Sequence, residues 1–219
     1  MNVLDLFSGT GGWSDPWVEA GHDVRRVELE DKYDAAYHTD AGDVAHVLSL
    51  LGGWKPDVIF ASPPCNSFST MSMGKMWTHE GEPKHPTAVE GQRLVQATLR
   101  YIVELNPKWF VIENPRARLR SLPLLQGITR TNVWYCRFGE ERAKPTDLWH
   151  RLPRELHLQL ADPKYVCQNG NPDHIAAPRG STTGTQGGFT REESYRIPQQ
   201  LSRMVMEGLV SANEPEPWT

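Results

Sequence analysis

Short apolar runs alternate with helix-like stretches through the first half of the chain. The runs are rich in β-branched and aromatic residues and predict buried strands at 2–7, 23–28, near 40–44, 57–60 and 109–112. The stretches between them predict helices at 16–20, 31–38, 44–51 and 88–105. The inward positions expected for the longest helix are Val89, Leu94, Leu99, Ile102 and Val103. Such alternation is typical of a doubly wound, Rossmann-like α/β fold with a mostly parallel sheet.

The second half of the chain has a different pattern. Two further apolar runs, at 132–138 and 146–149, predict strands that extend the sheet as an antiparallel edge. A helical pattern follows Pro198, with Leu201, Met204, Val205 and Leu209 on one face. We therefore expect a catalytic domain at 1–160, a loop-rich insertion at 161–192 and a C-terminal helical segment at 193–219 that completes the domain.

Composition narrows the class of protein. The chain has 219 residues and contains no apolar run near the ~18 residues that a membrane-spanning helix needs. The three cysteines are far apart in the sequence, so we expect no disulfide framework. The N-terminus lacks a basic leader, so we expect a cytoplasmic protein of a bacterial or phage-infected cell. The net charge is −4, but residues 19–57 carry nine acids against four bases, whereas 116–154 carry nine bases against three acids. This asymmetry indicates two different ligands, one of them polyanionic, unless it is a chance fluctuation on a solvated surface.

The first predicted strand leads into a glycine-rich turn, Ser8-Gly9-Thr10-Gly11-Gly12. Such a turn allows the backbone to approach a ligand closely, although no lysine stands where a phosphate-binding loop would have one. Glu28 ends the second strand, where an acid can bind ribose hydroxyls or remain an exposed carboxylate. Asp43 can accept a hydrogen bond from an adenine amino group or can cap the helix that follows it.

Two reactive side chains follow later strands. Cys65 comes directly after the strand-ending pair Pro63-Pro64, at the sheet edge where ligands bind in open α/β folds. It is either a nucleophile or a buried structural cysteine. Glu113 follows the strand at 109–112 and can donate a proton or hydrogen bond there, unless it lies on a surface turn. The polar stretch 69–86, which lies between Cys65 and Glu113 in the sequence, is long enough to form a lid over a binding site.

Four separated motifs, in this order, resemble the DNA (cytosine-5) methyltransferase family. Residues 5–12 resemble its first S-adenosylmethionine motif, Glu28 and Asp43 stand where its ribose- and adenine-binding acids lie, residues 62–69 resemble its nucleophile loop, and residues 113–115 its Glu-Asn-Val motif. The match spans residues 1 to about 118, and the C-terminal half resembles compact phage-type members. The resemblance implies a class I methyltransferase sheet, S-adenosyl-L-methionine as cofactor, double-stranded DNA that contains cytosine as partner, a flipped target base and a monomer.

The resemblance also assigns roles to individual residues. Cys65 would be the nucleophile and Glu113 would hold the base, with Arg142 or Lys144 contacting its O2 atom. The cofactor residues implied by the resemblance are Phe7, Ser8, Gly9, Thr10, Gly11, Gly12, Glu28, Asp43 and Pro64. The substrate residues implied by it are Pro64, Asn66, Ser67, Ser69, Asn114 and Arg116.

The sequence departs from the family pattern at three points. Asn66 stands where most members have Gln, the Gln-x-Arg-x-Arg motif maps to Arg142-x-Lys144, and residues 196–201 take the place of the final motif. About 40 residues between Trp149 and Arg191 leave no room for a large target-recognition domain, so that domain should be reduced or absent.

The alternative functions are the same chemistry on RNA or a free cytosine nucleotide, a non-catalytic DNA- or cofactor-binding module, and amino-group methylation. Cys167 and His174 alone do not make a metal site.

Overall fold

The computed structural model describes residues 1–68, 73–140, 143–167 and 190–212. These residues form one seven-stranded sheet in the order β3-β2-β1-β4-β5-β7-β6. The strands are β1 (Asn2–Leu6), β2 (Asp23–Glu28), β3 (Tyr37–His38), β4 (Val58–Ala61), β5 (Trp109–Pro115), β6 (Arg130–Trp134) and β7 (Pro145–Arg151). β1 to β5 pair in parallel, whereas β7 pairs antiparallel with both β5 and β6. The predicted doubly wound sheet with an antiparallel edge is confirmed.

Helices cover both faces of the sheet. They are α1 (Asp15–Glu19), α2 (Val44–Leu51), α3 (Met73–Met76), α4 (Pro86–Leu105), α5 (Arg154–Leu160), α6 (Arg191–Tyr195) and α7 (Gln199–Val210). Alternate residues of the central strands feed two separate cores, because successive side chains of a strand point to opposite faces. Leu4, Ile59 and Phe110 pack with α2 and α4. Val3, Phe60 and Val111 pack with α1, α5 and α7.

The predicted helix at 31–38 is wrong. Residues 31–36 form turns and irregular backbone, and the third strand is Tyr37–His38 rather than a segment at 40–44. The stretch at 31–36 has no apolar stripe that a helix could bury against the sheet. Its backbone therefore stays at the surface.

The inward face of α4 was also predicted incorrectly in part. Leu94 is buried, but Val89 and Val103 are 54% and 78% exposed. The first turns of the helix instead bury the small residues Ala88 and Gly91, whereas Tyr101 and Leu105 are buried further along. A narrow face of this kind lets the helix approach the turn after β4 more closely than a leucine-rich face would.

Two boundaries in the second half differ from the prediction. β5 continues through Glu113 to Pro115 because β7 extends the ladder, pairing Glu113 with Leu148. β6 ends at Trp134, and the expected strand residues 135–138 form a 3₁₀ turn. Glu113 is thus part of the sheet rather than of a surface turn. The domain boundaries near 160 and 192 stay predictions.

β1 and β4 are neighbours, and the chain leaves them in opposite directions across the sheet. In open α/β sheets the carboxyl ends of the strands at such a reversal border a crevice. The glycine turn and Cys65 both lie at this edge. Among the described residues, no helix combines the length and apolar character required to cross a bilayer.

Candidate active site

A cavity of about 320 Å³ opens at the carboxyl ends of the central strands. One part of its wall comes from the glycine turn and the end of β2, including Phe7, Gly9 and Glu28. Another part contains Cys65 and Glu113. The structure therefore brings most of the predicted cofactor residues to the same continuous space as Cys65 and Glu113.

The glycine turn is built by left-handed backbone. Phe7 has φ 58°, an unusual value for a non-glycine residue, and Gly9 and Gly11 have φ 49° and 78°. Glu28 braces the turn because its carboxylate accepts hydrogen bonds from the amides of Gly9 at 2.8 Å and of Leu29 at 2.8 Å. Its position is fixed before any ligand binds, with oxygen lone pairs left for hydroxyl groups.

Beneath the turn lies a charged network that the sequence analysis did not single out. Asp5 is buried in the cavity wall and accepts a hydrogen bond from the Ser14 hydroxyl at 2.6 Å. Arg26 donates to Ser14 at 2.8 Å and pairs with Asp15 at 2.6 Å. Burial raises the pKa of the Asp5 carboxyl to about 7 despite the hydrogen bond and the nearby guanidinium. A β-carbon on Gly11 would collide with Asp15 and Arg26, so the glycine admits this network.

Two acidic residues lie near the start of α2, and they make different contacts. Asp43 is exposed and caps α2 by accepting from the His46 amide at 3.1 Å, which confirms the capping alternative. Asp40, three residues earlier, lies in the cavity wall and is held by Arg93 at 2.7 Å. The adenine contact of Asp43 stays a prediction.

Cys65 opens a 3₁₀ turn, Cys65–Ser67, directly after β4, and is half-buried in the cavity wall. Two remote side chains hold the backbone around it, and a third holds a neighbouring side chain. Asn114 donates to the Pro63 carbonyl at 2.9 Å, and Trp77 donates to the Ser67 carbonyl at 2.7 Å. The Trp13 indole donates to the Ser62 hydroxyl at 3.2 Å. The position of the thiol is therefore set from both sides of the turn.

Glu113 belongs to a buried group of three side chains. The Tyr135 hydroxyl donates to Glu113 Oε1 at 2.9 Å. Lys144 Nζ lies 3.7 Å from the same oxygen and 4.7 Å from the centre of the Tyr135 ring. Tyr135 was not predicted, because its proximity to Glu113 depends on the order in which β5, β7 and β6 pair.

Not all predicted site residues reach the cavity. Its wall contains Phe7, Ser8, Gly9, Thr10, Gly12, Glu28, Pro64, Cys65, Asn66, Glu113 and Lys144. The predicted residues outside its lining are Gly11, Asp43, Ser67, Asn114 and Arg116. Ser69 and Arg142 lie outside the described residues, as does His174. Among the residues that are described, no group of three or more His, Cys, Asp or Glu side chains could hold a metal ion.

Two cavity residues on α6 were also not predicted. Glu192 and Tyr195 belong to a five-residue helix at the cavity wall. Glu192 pairs with Lys32 at 2.8 Å, and the Tyr195 hydroxyl donates to Asn66 at 2.8 Å. Their partners are more than 120 residues away in sequence, so local patterns carry no signal of these contacts.

The arginines after β5 make internal contacts. Arg118 donates to the Thr78 carbonyl at 2.9 Å and so fastens the loop after α3. Arg120 forms two hydrogen bonds with the carboxylate of Asp147, which is fully buried on β7. Part of the basic segment therefore serves the fold.

The family model for C-5 cytosine-specific DNA methylases matches residues 1–121. The chain is 29% identical to a probable DNA (cytosine-5)-methyltransferase of Frog virus 3, over 92% of this chain and 96% of that protein. It is 26% identical to the type II methyltransferase M.HgiGI of Herpetosiphon aurantiacus, over 56% of this chain and 97% of that protein. A solved structure of a putative prophage DNA modification methyltransferase from E. coli aligns with a TM-score of 0.48 and 21% identity, covering 68% of this chain and 46% of that one.

Proposed function

The chain belongs to the C-5 cytosine-specific DNA methylase family, and we propose that it methylates cytosine C5 in DNA through a covalent bond between Cys65 and C6. The observation that carries the proposal is the single cavity that Glu28, Cys65 and Glu113 share. A donor bound at the glycine turn and a base bound at Glu113 would meet beside the thiol.

The cavity wall fits S-adenosylmethionine as the methyl donor. Ser8 Oγ is buried in the wall and has no hydrogen-bond partner among the described residues, so it can bind a polar ligand group. Glu28, which forms no ion pair among the described residues, gives the same region a negative charge, and this suits a ligand that carries a sulfonium and an amino group. When bound, the donor supplies an electrophilic methyl group.

Cys65 provides the covalent step. Cytosine C5 is a poor nucleophile, and addition of the Cys65 thiolate to C6 makes C5 enamine-like and able to accept the methyl group. The donor would leave as S-adenosylhomocysteine. A solvent water would then take the C5 proton, and the electron pair of the C5–H bond would re-form the C5–C6 double bond as the C6–S bond breaks, which returns the thiolate. The three braces on the turn keep Sγ in place, which matters because well-oriented reactants lower the barrier by several kcal/mol, up to about 10.

Glu113 would orient the base edge at the N3 atom and the exocyclic amine. Tyr135 and Lys144 hold its carboxyl from one side, leaving the other oxygen for the substrate. A preorganised contact of this type contributes ~3 kcal/mol to lowering a barrier. Because the target atom is stacked inside a duplex, the base has to be flipped into the cavity.

The test is methyl transfer by a Cys65→Ser variant. We expect it to bind S-adenosylhomocysteine like the wild type and to incorporate no labelled methyl groups into DNA, while nucleoside mass spectrometry finds 5-methylcytosine with the wild type. Cys167→Ser is the matched control, since Cys167 is buried in a separate apolar cluster and is not in the cavity lining. Incorporation by Cys65→Ser at the wild-type rate would rule out the covalent mechanism.

The acceptor is tested in the same assay. Duplex DNA, tRNA and dCMP should be offered in parallel, and we expect transfer to DNA only. Transfer to tRNA or dCMP instead would keep the chemistry and change the substrate. A duplex with 5-fluorocytosine should form a stable adduct with the wild type, and a failure to do so would favour a non-catalytic binding module.

A further inference from the structure

Helix α6 lies in the wall of the cavity, and the two ends of the helix contact two different parts of the protein. Its start is well defined, because Thr190 and Glu193 form a reciprocal capping box. Glu192 and Tyr195, three positions apart, therefore share one side of the helix. Both line the cavity.

The Glu192 end contacts the loop that follows β2. The carboxylate lies 2.8 Å from Lys32 Nζ and accepts a hydrogen bond of 3.2 Å from the Tyr33 hydroxyl. Tyr33 lines the cavity beside Glu28 and Glu30. The lysine lowers the pKa of Glu192, which keeps this carboxylate charged. This end of α6 is thus attached to the region proposed to hold the methyl donor.

The Tyr195 end contacts the nucleophile turn. Its hydroxyl donates to Asn66 Oδ1 at 2.8 Å, and Asn66 directly follows Cys65. Asn66 is exposed at the mouth of the cavity, so this contact restrains a side chain that solvent would otherwise leave free.

We propose that Glu192 and Tyr195 are positioning residues that retain the methyl donor and orient the nucleophile turn through one helix. The proposal rests on the proposed function, since it takes S-adenosylmethionine as the ligand. In this proposal, α6 gives up its contact with Lys32 or with Asn66 before the donor leaves the cavity. The contacts are partly exposed, so each is weak and easily reformed, which suits a closure that opens once per turnover.

The experiment measures the release rate of S-adenosylhomocysteine by stopped-flow tryptophan fluorescence, with Trp13 in the cavity wall as reporter. Glu192→Gln keeps the shape of the side chain and removes the charge that pairs with Lys32. Tyr195→Phe keeps the ring and removes the hydroxyl that donates to Asn66. We expect each variant to release the ligand about twofold to fivefold faster, the size of effect typical of exposed ion pairs and hydrogen bonds. Tyr195→Phe should also slow formation of the 5-fluorocytosine adduct at saturating donor by about threefold, because Asn66 loses its partner.

A charge swap distinguishes this role from a general effect on folding. Lys32→Glu alone should speed release, and Lys32→Glu combined with Glu192→Lys should recover at least half of the loss. Glu19→Gln is the matched control: it removes a surface ion pair of similar exposure, to Arg203, that is not in the cavity wall, and it should leave the release rate unchanged.

The outcomes separate the inference from the function it rests on. Wild-type release rates in both Glu192→Gln and Tyr195→Phe, or no recovery in the charge swap, would overturn the inference alone. If the wild type binds neither S-adenosylmethionine nor S-adenosylhomocysteine, the proposed function is overturned and the inference with it.

Discussion

Replacing Gly91 by alanine should displace the turn that carries Cys65. A β-carbon at position 91 would stand less than 3.0 Å from Ser67 Oγ, and 3.1 and 3.3 Å from two ring carbons of Phe68. Ordinary contacts of this kind are about 3.4–4 Å long, so the turn has to move by roughly 1 Å. Ser67 is 1% exposed, which leaves its hydroxyl little space in which to rotate away.

Two effects of the substitution on stability oppose each other. Alanine is favoured over glycine inside a helix by about 1 kcal/mol. Overpacking of a buried site costs ~1–3 kcal/mol. The net destabilisation is at most about 2 kcal/mol, which a domain of ordinary stability tolerates. The variant should therefore fold and bind S-adenosylhomocysteine, while its rate of chemistry falls about 100-fold, as expected for a misplacement of ~1 Å at a reacting atom.

The assay is single-turnover methyl transfer at saturating donor, with the fold followed by circular dichroism. Gly208→Ala in α7 is the matched control, because its β-carbon would stand 2.9 Å from the buried Leu156 side chain and so overpacks a site that does not line the cavity. Ser67→Ala combined with Gly91→Ala should recover at least tenfold relative to Gly91→Ala alone, since it removes the closest clash. A wild-type rate in Gly91→Ala would show that the placement of Cys65 does not depend on this packing.

Two further predictions concern buried polar groups. Tyr135→Phe keeps the ring but removes the hydrogen bond to Glu113. We expect kcat to fall about tenfold, the value of a buried hydrogen bond to a charged group, and the affinity for S-adenosylhomocysteine to stay unchanged. An unchanged kcat would contradict the role given to Glu113. Burial and the neighbouring His157 lower the pKa of His150 to about 3, so the unfolded chain takes up a proton below pH 6.5 that the folded protein refuses. Stability should therefore fall by about 2 kcal/mol between pH 8 and pH 5 from this group alone, and urea unfolding of His150→Gln should show a correspondingly flatter pH dependence.

The central strands could be predicted from the sequence because their signal is local. A strand buried on both faces is a short apolar run, and β4 and the first four residues of β5 have that composition. The positions of Cys65 and Glu113 follow from the same signal, since each comes at the end of such a run. Glu28 could be predicted from its distance to the glycine turn.

The errors arose where distant contacts decide the structure. Lys32 and Tyr33 in the irregular stretch 31–36 bind Glu192, about 160 residues away, and the local sequence does not indicate these contacts. The small face of α4 is buried against the Cys65 turn, which periodicity cannot foresee. Tyr135 reaches Glu113 only because β7 enters the sheet between β5 and β6. Each of these contacts depends on tertiary structure rather than on propensity.

The pairing of Arg120 with Asp147 has a consequence for how tightly the protein can hold DNA. A cation that neutralises a phosphate releases condensed counterions, and the entropy of that release drives much of the affinity. Arg120 already neutralises a buried carboxylate, so it is not a full contributor to this release. The salt sensitivity of DNA binding should accordingly reflect fewer phosphate contacts than the nine basic residues of segment 116–154 would provide.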